Sequence, residues 1–83
     1  MSTSVIWSKQ FDDNTGQFEI IEFNIVQLEN ENPPFTHLAT VENEDEELTY
    51  RYTKTFNEAK NFILGALFTL NRLGIISATE YEI

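Results

Sequence analysis

The stretch T-F-N-E-A-K-N-F-I-L-G-A-L-F-T-L-N-R-L-G, residues 55–74, decides how the rest of the chain is read. Thr55 and Glu58 have the capping-box spacing, in which each side chain can take an orphan backbone N–H of the first helical turn. Gly74 stands where a left-handed residue closes a last turn. Glu58 near the start and Arg72 near the end both suit the helix dipole. The spacing predicts one long helix over residues 56–73. At about 100° per residue, Leu73, Phe62, Ala66, Ala59, Leu70, Ile63, Phe56 and Leu67 fall within one arc, the expected core face.

Two features depart from that pattern. Leu64 and Phe68 form an i,i+4 pair on the side that also carries Asn57, Lys60, Asn61, Asn71 and Arg72, where a solvated helix needs no such pair. Gly65 costs about 1 kcal/mol relative to alanine in a helix interior; in line with Asn61 and Thr69 it would permit close approach of another backbone, and a merely tolerated helix glycine is the other reading. Leu64, Gly65 and Phe68 are therefore a candidate surface for a partner or a homodimer. The expected cover for the Leu64–Phe68 pair is the chain's own tail, through Ile75, Ile76 and Tyr81. A second copy or a foreign partner is the alternative.

Upstream, the apolar residues change to a period of two. Residues 4–11 read as a strand with Val5, Trp7 and Phe11 on one side and Lys9 laid along it. D-D-N-T-G, residues 12–16, is a turn, with Gly16 able to take a positive φ. Residues 17–28, Q-F-E-I-I-E-F-N-I-V-Q-L, are rich in Ile, Val and Phe and read as a central strand. Its doubled pairs Ile20–Ile21 and Ile25–Val26 shift the phase, as a bulge would. Two prolines end it. Residues 35–42 form a third strand with Phe35, His37, Ala39 and Val41 on one face. Residues 47–53 form a fourth with Leu48, Tyr50 and Tyr52 on one face. Ser77 and Glu80 repeat the capping spacing, so the tail is expected to be a short helix from Ala78, with a fifth strand as the alternative. The expected fold is α+β over residues 1–83 as a single domain: a four-stranded antiparallel meander followed by one long helix on one face.

The chain has 83 residues, no cysteine and a net charge of −9 from fourteen acidic and five basic residues. Without cysteine there is no disulfide, thiolate nucleophile or Cys-based zinc site. A reducing cytoplasm is the compartment this suits. No apolar run is long enough to cross a membrane, and the first ten residues lack the basic-then-apolar pattern of a signal peptide. A surface this acidic repels nucleic acid and anionic lipid directly and favours basic partners.

Candidate chemistry is sparse. His37 is the one histidine, set among Thr36 and Thr40 with no glycine-rich oxyanion loop nearby. Three scattered glycines make no phosphate-cradling loop. Paired carboxylates could serve as acid and base, yet each lies in a turn or an alternating strand, away from any apolar pocket. No catalytic, cofactor-binding or metal-ligating residue is therefore assigned. The dense feature is the turn: Glu42, Glu44, Asp45, Glu46 and Glu47 surround Asn43. It lacks the EF-hand order of ligands. It reads as a solvated tip or as a docking surface for an Arg/Lys patch, extended by Asp12, Asp13, Glu29 and Glu31 if their loops lie nearby.

By analogy of class alone, small acidic cysteine-free α+β chains include phage-encoded inhibitors and regulatory adaptors. The expected function is a non-enzymatic protein-binding module or inhibitor. It would occupy a basic, nucleic-acid-binding site on another protein, with no cofactor. The alternative is an assembly subunit or homodimer joined through the helix back.

Overall fold

The computed structural model describes residues 3–17, 19–29 and 34–78. Four antiparallel strands form one sheet in the order β1-β2-β3-β4, and a single helix packs on it. The strands are β1 (Thr3–Asp12), β2 (Ile20–Leu28), β3 (His37–Glu42) and β4 (Glu47–Thr53), and the helix is α1 (Phe56–Arg72). This is the α+β meander-then-helix expected from the sequence.

The helix ends behave as their chemistry requires. Thr55 Oγ1 accepts the Glu58 N–H at 3.1 Å, and the Glu58 carboxylate accepts the Lys54 N–H at 2.9 Å. The acid thus reaches one residue beyond the cap itself. Thr53, buried beneath, donates its hydroxyl to the Thr55 carbonyl at 2.9 Å. At the other end Gly74 takes φ 78°, and the Gly74 and Ile75 N–H groups bond to the Asn71 and Leu70 carbonyls. That pairing is the Schellman closure.

The core lies between β2, β3 and one stripe of α1. Ile21, Phe23 and Ile25 of β2, Ala39 and Val41 of β3, and Ala59, Ile63 and Leu67 of α1 are buried together with Ile76 and Ala78. Phe11 meets Phe23 edge-on at 5.7 Å. Leu73, expected on this face, is 67% exposed. It is the C-cap, where the backbone leaves the helical spiral, so extrapolating the 100° step to it fails. Phe56, also expected there, is exposed at the first turn with its ring against His37.

The strands differ from expectation in phase. β2 begins at Ile20 rather than residue 17, because Asp13 draws the following residues into its own turn. β2 then runs in continuous register. The bulge lies on its partner: Val5 faces Val26 and Trp7 faces Ile25, so Ile6 is the extra residue of β1. Val5 is therefore switched to the face away from the helix and is 62% exposed, while Trp7 and Phe11 stay on the core side. A second irregularity lies where Val41 faces Thr49 and Glu42 faces Glu47, which separates Leu48 from Tyr50 and Tyr52. β3 begins at His37, and Phe35 packs instead on Tyr52 with ring centroids 5.9 Å apart.

The tail joins the first turn. The Asn14 N–H donates to the Ile75 carbonyl at 2.8 Å, and Asn14 Nδ2 donates to Ser77 Oγ at 2.9 Å. Ser77 is thereby held by the loop, and the Ala78 N–H is taken by Asn71 Oδ1. The expected helix or strand beyond Ala78 lies outside the described residues.

The packing sets a graded response to truncation. Ile63→Ala removes a fully buried side chain and should lower the free energy of unfolding by about 2–5 kcal/mol. Phe68→Ala removes one that is 55% exposed and should cost about 1 kcal/mol or less. Urea denaturation of the two variants checks this. Equal losses would show that Phe68 is covered after all.

Candidate functional site

Two turns and one groove hold the candidate surfaces. The β1–β2 turn is organised by Asp13, whose Oδ1 accepts the Thr15 N–H at 2.8 Å and the Thr15 hydroxyl at 2.7 Å. Gly16 then takes φ 76°, the left-handed conformation that glycine tolerates best. The β3–β4 turn is organised by Asn43. Its Oδ1 accepts the N–H groups of Asp45 and Glu46 at 2.7 and 2.8 Å, and its own N–H donates to the Glu46 carbonyl. One amide side chain thus ties the turn internally, and Glu44, Asp45, Glu46 and Glu47 all stand exposed.

The meander brings both turns to the same end of the sheet. Gln17 and Glu19 of the first border a shallow hollow of about 170 Å³ with Asn43, Glu44 and Asp45 of the second. Asp12 and Asp13 share that end. Glu29 follows β2 at the opposite end, so it does not extend the cluster, and Glu31 lies outside the described residues. Because α1 runs back from β4, its C-terminus, with the negative end of its dipole, also arrives here, beside Asn14.

The acidic end continues onto the sheet face away from the helix. Glu22 and Glu42 are directly opposite one another on β2 and β3. Asn24 Nδ2 donates to Glu22 Oε1 at 3.0 Å and to Glu42 Oε1 at 2.9 Å, and Gln10 Nε2 donates to the other Glu22 oxygen at 2.6 Å. The amides of Asn24 and Gln10 pull the Glu22 carboxyl below its ordinary value. Burial, with the hydrogen bond and charge of Glu22, pushes Glu42 up. The two titrate as a pair in which Glu42 takes the first proton and Glu22 keeps the charge. Asn24 and Thr40 are each only 6% exposed although no helix among the described residues covers this face. The sequence does mark Asn24, a polar residue in the middle of an apolar strand, but its partners across the sheet become visible only with the register.

Beside α1 and the edge strand β4 runs an apolar groove of about 520 Å³ lined by Val41, Leu48, Thr49, Asn61, Phe62, Gly65, Ala66, Thr69 and Leu70. It leads into a second, more polar hollow that includes Arg51, Lys54 and Glu58. A Cβ at Gly65 would meet nothing within 4 Å. Gly65 therefore opens the groove instead of admitting a contact within the chain. Leu64 and Phe68 do not line it: Leu64 is half-buried and Phe68 exposed on the helix back. The three residues grouped from the sequence therefore split between two surfaces. Ile76, expected over Phe68, is buried in the core, and Tyr81 lies outside the described residues.

His37 is half-buried in β3, its Nδ1 2.7 Å from the Thr36 hydroxyl, which donates to the Lys54 carbonyl. With its donor spent there, the hydroxyl accepts, so Nδ1 carries the ring proton. Its ring meets Phe56 edge-on at 5.8 Å, and it serves to fasten β3 to the helix start. Among the described residues no three His, Asp or Glu side chains are grouped so as to hold a metal ion. None of the described helices is long and apolar enough to cross a membrane. Comparison with protein-family models, curated proteins and solved structures finds no match to this chain.

The Glu22–Glu42 pair makes a signed prediction. A carboxyl raised in the fold destabilises it once ionised, so Glu42 weakens the protein above its raised pKa and ceases to do so as pH falls through it. Glu22, lowered in the fold, stabilises above the ordinary carboxylate range and loses that effect as pH falls through its lowered value. Glu42→Gln should therefore raise the unfolding free energy at neutral pH by about 0.2–1 kcal/mol, the scale for like charges opposed across strands. The gain should fade in acid. Denaturation midpoints across pH check this, and a gain that persists below the carboxylate range would refute the like-charge account.

Proposed function

We propose that this protein is a non-enzymatic binding module whose acidic end docks on a basic surface of another protein. The observation that supports the reading is the convergence of the two turns. Asp12, Asp13, Glu19 and residues 44–47 meet at one end of the sheet, and the C-terminus of α1 adds its partial negative charge. Charge gathered in one place steers encounter with a cationic surface more strongly than the same charge dispersed. A basic site that otherwise holds nucleic acid has the matching chemistry, so inhibition by occupying such a site is the mode we assign. The internal bonding of Asn43 adds preorganisation, because the turn need not be ordered on docking.

The experiment is substitution of Glu44, Asp45, Glu46 and Glu47 by their amides. Exposed carboxylates crowded at one tip repel one another and contribute little singly, so the thermal midpoint should stay unchanged or rise slightly. Affinity for a partner captured from the native cell should fall about tenfold or more, and wild-type affinity should drop similarly between about 50 and 200 mM salt. Binding indifferent to both salt and these substitutions would overturn the reading.

A further inference from the structure

We propose that the protein forms a twofold dimer by antiparallel pairing of β4 with the β4 of a second copy, closing the Gly65 groove. This goes beyond the acidic-end reading and does not depend on it; Glu46 and Glu47 belong to both surfaces, so Glu44 and Asp45, which the dimer does not use, separate the two. Both β1 and β4 are sheet edges, and an edge strand offers a row of outward N–H and C=O groups to another strand. Each carries one bulge, at Ile6 in β1 and at Leu48 in β4, and β4 is the edge that borders the Gly65 groove. β4 keeps regular register from Thr49 to Thr53 and is exposed along nearly all its length.

The occupant follows from charge. The β4 region is negative at one end, Glu46 and Glu47, and positive at the other, Arg51 and Lys54. Antiparallel pairing centred on Tyr50 sets Thr49 opposite the partner's Arg51 and, past the bulge at Leu48, brings Glu46 and Glu47 to the end that holds the partner's Thr53 and the partner's Lys54. A strand with opposite charge at its two ends is complementary to a second copy of itself. Centring on Arg51 would oppose two guanidinium groups, so the register is selected as well as the partner.

An axis normal to the sheet keeps both helices on one side. The two grooves then face each other across the new strand pair, and the absent side chain of Gly65 leaves room for the approach of the second helix. On the other face Tyr50, 56% exposed, meets the partner's Tyr50, which extends the ring contacts that join Phe35, Tyr52 and Tyr50. The two acidic ends point in opposite directions, so each dimer carries two of them.

Sedimentation equilibrium over a wide concentration range tests this with three variants. Lys54→Glu places carboxylates against Glu46 and Glu47 of the partner, and the double change Glu46→Lys, Glu47→Lys places cations against its Lys54. Each alone should weaken the dimer about tenfold, whereas an equimolar mixture should restore it, because both junctions are then attractive. Gly65→Leu fills open space in the monomer, so it should remain folded by circular dichroism yet dissociate. A wild type that stays monomeric at all concentrations, or a dimer unaffected by all three variants, overturns the proposal. Failure of the mixture to recover overturns the Tyr50-centred register.

Discussion

The contact of one stripe of α1 with the buried faces of β2 and β3 is what the remaining structure depends on. Ile21, Phe23 and Ile25 of β2 and Ala39 and Val41 of β3 meet Ala59, Ile63 and Leu67 in the core, with Ile76 buried beside them and Trp7, Phe11, Phe62 and Leu70 packed around it. Three successive apolar positions at a period of two can only be buried together by something laid flat on the sheet, and three at i, i+4 and i+8 supply it. Burial of such side chains contributes roughly 1.5–3 kcal/mol each. In a chain of this size that is a large share of the net stability. β3 contributes the small Ala39 between Ile25 and the edge, which lets the helix settle close to the sheet. β1 and the tail then fill the flank.

How much of this could be read beforehand depended on how local each determinant is. The helix was legible because its caps, Thr55, Glu58 and Gly74, act within a few residues of themselves. The strands were legible in kind and order because Ile, Val, Phe and Thr at a period of two leave little choice. Phase was not. The doubled apolar pairs of β2 suggested a bulge there, but a mismatch between two strands can be absorbed by either, and it was absorbed at Ile6. A single inserted residue reverses every side chain beyond it, which is why Val5 was misassigned. Leu73 failed for a related reason, since a periodicity carries no information about where the helix stops.

The candidate surfaces divide in the same way. The residues of the acidic turn were evident as a run of carboxylates, but their company was not. Whether Asp12 or Glu29 lies beside that turn is a question of topology, answered only when successive hairpins alternate between the two ends of the sheet. Gly65 attracted notice as an anomaly in a helix, and it opens a groove, yet the neighbours assigned to it from helical spacing, Leu64 and Phe68, face elsewhere. The cluster of Gln10, Glu22, Asn24 and Glu42 had one signal only, the polar Asn24 in an apolar strand. It exists because three chain segments come into register, and no window of sequence contains them all.

Asn14 ties the first turn to the last described residues of the chain. In a meander each strand pairs with its predecessor, so most closures span short loops and cost little entropy. The bond from Asn14 Nδ2 to Ser77 Oγ spans 63 residues. With the Asn14 N–H bond to the Ile75 carbonyl, it joins the first turn to the segment that follows the helix. The acidic end and the last described residues of the chain, far apart in sequence, thus share one junction.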